Sequence, residues 1–168
     1  LFQNASGQWI GRVSLTYNHK GIFDWKTTRY RTYTRVYLPS GSTLIGSSGS
    51  LLNDKTQNPT RALGTVDQAE EFGLVSFGAF ISIEPSEEKT LVFEFQPSRD
   101  VVDRIESGEY DLTVLKQPGS QKNALTIDLN FDKKLRQASP PEESEQWGDQ
   151  KYFLITFLDH DLEVYVSL

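Results

Sequence analysis

The 168-residue sequence has no cysteine and no methionine, only two histidines, and no long apolar run. Without cysteine there can be no disulfide, zinc–thiolate cluster, iron–sulfur ligation or thiol nucleophile, whatever the compartment. The missing methionine leads us to expect a translation start upstream of Leu1, and hence a fragment of a longer chain. No segment approaches the ~18 apolar residues of a membrane span, and no charged-then-apolar signal opens the chain. Direct membrane insertion by these residues is therefore not expected, and any anchor is expected outside them. Positive charge is also scarce: 17 Lys and Arg against 23 Asp and Glu give a formal charge of -6, which argues against a nucleic-acid partner.

The chemical signatures are thin as well. Neither a Walker-type Gly-Lys-Ser/Thr nor a Gly-x-Gly-x-x-Gly pattern occurs, so no nucleotide cofactor is expected, and no other cofactor either. His19 sits in a turn and His160 lies between Asp159 and Asp161 at another, neither in a nucleophile motif. The Asp159-His160-Asp161 triplet has the right residue types for a metal. Neighbouring strand residues point to opposite faces, however, so a solvated turn tip is the better reading and no metal is expected. Glu70-Glu71, Glu87-Glu88 and Glu142-Glu143 are the carboxylate pairs a glycosidase would need, yet they lie beside turns or in a polar stretch where charges usually serve as a solvated edge. No catalytic residue is assigned. The glycosylation-type triplet Asn4-Ala5-Ser6 is set aside as a common chance match.

What is present is extended, alternating sequence. The chain carries 10 Phe, 7 Tyr and 3 Trp, enough large apolar surface for a core. Trp9 to Tyr17 alternates at period two, and Tyr30 to Leu38 is dense in aromatic and β-branched residues before Pro39-Ser40-Gly41. A weaker strand is expected at Thr43-Leu44-Ile45, followed by a loop or ragged edge from Gly46 to Thr60. Phe72 to Ile83 reads as a central strand with a bulge or close approach at Gly73 or Gly78, paired as a hairpin with Thr90 to Phe95 across Pro85-Ser86-Glu87-Glu88. Ser98 to Ser107 reads as a short helix, Ser98 capping it and Gly108 ending it. Tyr110 to Val114 and Leu125 to Phe131 are expected to form a hairpin about Gln117-Pro118-Gly119-Ser120. Tyr152 to Leu158 and Leu162 to Leu168 are expected to form another about Asp159-His160-Asp161. Residues 133–150, with Ser139-Pro140-Pro141-Glu142-Glu143-Ser144-Glu145, read as a flexible acidic loop. The expectation is an all-β fold: one domain over residues 1–168, an antiparallel two-sheet β-sandwich, immunoglobulin-like or related, with one short helix.

The most distinctive surface candidate is the strand face carrying Arg31, Tyr33, Arg35 and Tyr37, which alternates with Tyr30, Thr32, Thr34 and Val36. Tyrosine rings and guanidinium forks can stack on sugars or grip anionic polymers, or they can simply cover a wet sheet face; the covering role is the simpler one. Trp9, Trp25 and Trp147 are read as core or loop anchors before sugar platforms.

Several segments in order carry a family resemblance. Asp24-Trp25, the run Tyr30-Arg31-Thr32-Tyr33-Thr34-Arg35-Val36-Tyr37-Leu38-Pro39-Ser40-Gly41-Ser42, Glu71-Phe72-Gly73, Phe77-Gly78-Ala79-Phe80, and Tyr110-Asp111-Leu112-Thr113-Val114-Leu115-Lys116-Gln117-Pro118-Gly119 resemble the C-terminal module of a bacterial domain-of-unknown-function family. The resemblance covers roughly Trp9 to Phe131, and its motifs are turn and strand signatures. It implies an outward-facing part of a large envelope protein with an N-terminal membrane anchor, extracellular or at the cell surface, and it carries over no catalytic residue. The expected function is a non-catalytic structural or interaction module of a bacterial cell-envelope protein. The alternative is a carbohydrate- or cell-wall-polymer-binding module. Its expected partners are wall polysaccharide or another envelope protein, and the module itself is expected to be a monomer.

Overall fold

The computed structural model describes every residue except 53–61, 120, 121, 144 and 146. In chain order its strands are β1 (Phe2–Gln3), β2 (Trp9–Asn18), β3 (Tyr30–Pro39), β4 (Thr43–Ser48), β5 (Asp67–Glu71), β6 (Leu74–Ile83) and β7 (Glu88–Gln96). The helix α1 (Arg99–Ser107) follows, then β8 (Glu109–Val114), β9 (Asn123–Asn130), β10 (Gln137–Ser139), β11 (Lys151–Leu158) and β12 (Leu162–Ser167). All strand pairings are antiparallel, so the fold is all-β and sandwich-like with one short helix. Where length leads us to expect one domain over 1–168, the residues cluster into two compact units, Gly11–Ser98 and Leu1–Ile10 with Arg99–Leu168. Each unit has a core of its own.

In Gly11–Ser98, β7 lies between β2 and β4, and β6 lies between β3 and β5. Phe77, Ala79, Ile81 and Ile83 of β6 and Leu91 and Phe93 of β7 are fully buried in one cluster, joined by Leu15, Tyr17, Val36, Leu38 and Leu44. Since β6 and β7 belong to different sheets, this cluster is the filling between two layers. Burying each of these large side chains stabilises by roughly 1.5–3 kcal/mol. β6 is central, as its apolar period implies.

The second unit places β12 between β10 and β8 in one sheet and pairs β9 with β11 in another. Ile127 and Leu129 of β9, Tyr152 of β11 and Val164 and Val166 of β12 meet Trp9, Phe131, Leu135 and Ile105 of α1 in its core. Phe131 stands at the centre of the aromatic contacts, 5.5 Å from Tyr110 edge-on and 6.3 Å from Trp9. Burial pushes the Tyr110 phenol up to about 12, with the neighbouring Asp111 adding to it. The helix ends as expected at Gly108, whose φ is 95°. Its start differs: Ser98 Oγ is buried without a hydrogen-bond partner among the described residues, so it is not a cap.

Three expected hairpins are absent. β6 and β7 do not pair, nor do β8 and β9, nor β11 and β12; β8 pairs with β12, and β9 with β11. Each short connection instead carries the chain from one sheet to another. Alternation specifies which side chains face inward, and two strands can satisfy it either side by side or face to face across the core. Here Phe77 and Ile81 need Leu91 and Phe93 opposite them, which favours the second arrangement. The strands that do pair with their neighbours in sequence are β1 with β2 and β5 with β6. The β5–β6 turn is Phe72-Gly73, with φ of 57° and 74°, so Gly73 serves a tight hairpin turn and makes no bulge.

Of the expected Gly46–Thr60 loop, Gly46–Ser48 belong to β4 and residues 53–60 lie outside the described residues. Ser120 of the expected turn lies outside them too, as do Ser144 and Gln146 of the expected 133–150 loop. That acidic stretch is anchored at several points nonetheless. It contains β10, Leu135 is in the core, Leu135 N donates to Asp149 O at 3.1 Å, and Tyr152 Oη donates to Pro140 O at 3.0 Å.

Candidate functional site

β3 pairs with β6 in unbroken register from Tyr30 opposite Ile83 to Pro39 opposite Leu74. Period two then brings Arg31, Tyr33, Arg35 and Tyr37 together on the solvent side of the β3–β6–β5 sheet, while Thr32, Thr34, Val36 and Leu38 turn half-buried toward the core. The middle strand presents Ser82, Phe80, Gly78 and Ser76 to this face, opposite Arg31, Tyr33, Arg35 and Tyr37. Tyr33 lies across Gly78: a Cβ there would come within 2.3 Å of the Tyr33 hydroxyl.

The far side of the face comes from β5, a strand missing from the sequence reading. Asp67 stands opposite Gly78 and Glu71 opposite Leu74. Tyr33 Oη donates to Asp67 Oδ2 at 2.6 Å, and Tyr37 Oη donates to Glu71 Oε2 at 3.0 Å. Arg35 Nη1 lies 3.8 Å from the same Glu71 oxygen, and its guanidinium is 5.4 Å from the centre of the Tyr33 ring. Desolvation raises the Tyr33 phenol pKa above its ordinary value, with the Asp67 carboxylate as the next cause. The face is thus zwitterionic, where the sequence reads as cationic: Glu71 answers Arg35, Asp67 takes the Tyr33 hydroxyl, and Tyr33 and Tyr37 remain 40% exposed with their hydroxyls fixed. The only signal for β5 was Asp67, Ala69 and Glu71 at period two before Phe72-Gly73, and its sparse apolar content masked it.

The other candidates disperse. Asp159 Oδ1 meets His160 Nδ1 at 2.5 Å, while Asp161 Oδ1 accepts from Lys116 N at 2.8 Å, so the triplet spends its oxygens on separate turn contacts. Among the described residues no three His, Cys, Asp or Glu side chains gather as metal ligands. His19 Nδ1 accepts from Gly21 N at 3.3 Å, which leaves Nε2 to donate to Thr28 O at 2.9 Å. Glu87 accepts from Glu84 N and Glu88 from Asn18 Nδ2, so the carboxylates of that pair are held by different partners, and Glu142 accepts from Phe153 N. Asn4 Oδ1 takes the Ser6 and Gln8 amides and builds the β1–β2 turn.

The tryptophans divide. Trp9 is in the core, but Trp147 is exposed and Trp25 is 88% exposed, beside exposed Ile22 and Phe23 in the β2–β3 connection. That connection is held by Asp24 Oδ1, which accepts from Lys26 N at 2.8 Å and Thr27 N at 2.6 Å, contacts that lower the Asp24 pKa. No known protein family, curated protein or solved structure matches this chain.

Proposed function

We propose that the chain is a non-catalytic interaction module of a bacterial cell-envelope protein, and that the outward face of β3–β6–β5 is its recognition surface. The observation that carries this reading is the fixing of Tyr33 and Tyr37 by Asp67 and Glu71 across β6. Flat rings whose rotamers are already held lose little entropy on contact, and the adjoining arginine and carboxylates supply donors and acceptors in one plane. Placement outside the cell, tethered through an upstream anchor, is supported by the family resemblance of residues Trp9 to Phe131.

A second reading, a module for carbohydrate or cell-wall polymer, is favoured by the same fixed tyrosines. The balance of Arg31 and Arg35 against Asp67 and Glu71 suits a neutral glycan better than a polyphosphate or polyuronate. Affinity electrophoresis in gels containing a neutral wall polysaccharide or a teichoic-acid polymer tests it. The wild type should be retarded by the neutral glycan, and Tyr33→Ala with Arg35→Ala should migrate freely with an unchanged circular-dichroism spectrum. Retardation that persists in the double variant would remove this face from the account.

A further inference from the structure

The β9–β11 sheet has only two strands, and among the described residues no strand pairs with the outer edge of β11. Two strands are the least a sheet can have, and an unpaired edge is a template for another. Its outward face is apolar in an unusual place: Ile155 is 70% and Phe157 61% exposed, in line with half-buried Phe153, while β9 beside them presents Thr126, Ala124 and Asp128. The apolar row therefore lies along the open edge.

Two side-chain contacts on that edge set its hydrogen-bonding phase, the first being Lys151 N donating to Asp149 Oδ1 at 2.6 Å. Phe153 N donates to Glu142 Oε1 at 2.5 Å and so points away from β9. In an antiparallel sheet residues two apart direct their amides the same way, so Ile155 and Phe157 also present their backbone groups to the open side. Phe157 O takes the Asp159 amide at 3.1 Å, and Ile155 has no backbone partner there among the described residues.

We propose that the outer edge of β11 docks a second copy of this chain, antiparallel about a two-fold axis at Ile155, and that Glu142 competes for the same edge. This register is self-complementary. Ile155 meets Ile155 of the second copy, Phe153 meets its Phe157, and Lys151 comes opposite its Asp159, whose carboxylate also meets Lys122 and His160 of its own chain. A two-fold axis normal to the sheet keeps both outward faces on one side, so the two apolar rows merge and are flanked by the polar residues of each β9. Shifting the centre to Thr156 sets Phe153 against Asp159 and loses that match. The result is a four-stranded sheet, a departure from the monomer expected of the sequence. Glu142 is buried, and one of its oxygens fills the place that the second copy's Phe157 carbonyl would take on Phe153 N, so the closed edge of the monomer and the paired edge of the dimer exclude each other there.

Sedimentation of the 168-residue chain from micromolar to millimolar concentration tests the proposal. The wild type should show a monomer–dimer equilibrium, Glu142→Ala should tighten it about tenfold by freeing one edge donor, and Ile155→Lys should abolish it with an unchanged circular-dichroism spectrum. The absence of native cysteine permits a second measurement. A short bis-maleimide should join Ile155→Cys into a covalent dimer and leave Ala124→Cys, on β9, monomeric. Wild type and Glu142→Ala both sedimenting as monomers, or equal cross-linking of the two cysteine variants, would overturn it.

Discussion

On the β3–β6–β5 sheet, Tyr33 and Tyr37 lean on carboxylates two strands away; on β9–β11, Phe153, Ile155 and Phe157 stand beside Asp128, Thr126 and Ala124, with no strand on their other side among the described residues. The first sheet places its middle strand at the centre of a finished arrangement, with partners for the polar groups of β3 supplied by β5. The second stops after two strands, with its apolar row at the rim. A sheet that answers its own side chains is suited to meeting a ligand with groups already in place. A sheet that stops short is suited to being extended. The inward faces do not share this contrast, because Phe77 of β6 and Tyr152 of β11 are both fully buried.

That distinction between inward and outward positions predicts the largest difference. Phe77→Ala removes a ring from the filling between two layers and should cost about 3–5 kcal/mol. Ile155→Ala, at a position mostly in water, should change the stability of the monomer by less than about 0.5 kcal/mol. Urea unfolding at low protein concentration measures both. Comparable losses would mean that β11 is far more enclosed than its exposure implies.

Face assignment is also the part of the fold that the amino-acid order reveals. Arg31, Tyr33, Arg35 and Tyr37 reach one solvent face because period two is a property of the strand itself, and Val101, Val102 and Ile105 share a helix face for the same kind of reason. Strand partnership is not local. Ile81 is satisfied by an apolar neighbour across the core, whether or not the next strand in sequence lies beside it, so the turn Pro85 to Glu88 reads as a hairpin when it is a crossing between layers. The half of the candidate site on β5 was obscured for a second reason. Asp67-Gln68-Ala69-Glu70-Glu71 is an edge strand that buries little, and its turn uses Phe72 in a left-handed conformation where asparagine or aspartate is the usual signal. Trp25 illustrates a third limit: an aromatic residue can be held in water by a loop whose own polar contacts, here those of Asp24, fix its shape.

Glu142 offers a test of the open edge that needs no second molecule. Desolvation raises its pKa, the Phe153 amide opposes that, and nearby Asp149 adds to it. A carboxylic acid whose folded value lies above its unfolded value binds more protons folded, so its stabilising contribution is full below the ordinary glutamate value of 4.5 and is lost as pH rises through the raised one. Glu142→Gln keeps an acceptor for Phe153 N and removes the titration. The variant should therefore gain on the wild type as pH rises above the ordinary glutamate value, read from urea midpoints across that range. Asp24 and Asp159 are lowered, so they contribute stability above their ordinary value that is lost as pH falls. They act alike in both chains and cancel in the difference. A gap that stays constant with pH would mean that Glu142 is not held away from water at the β11 edge.

The smallest effect probes the finished sheet. Tyr33→Phe deletes the hydroxyl that donates to Asp67 at 2.6 Å but keeps the ring across Gly78. The pair is exposed and screened, so the cost should be about 0.5 kcal/mol, measurable as a small shift of the urea midpoint. Glycan retention separates the two contributions of that tyrosine. If the ring is the contact surface and the carboxylate only holds it, Tyr33→Phe should keep most of the retardation that Tyr33→Ala with Arg35→Ala loses, because Gly78 still leaves the ring its place on the sheet. If Tyr33→Phe loses as much as the double variant, the hydroxyl and Asp67 themselves meet the ligand, and the face reads polar groups before ring planes.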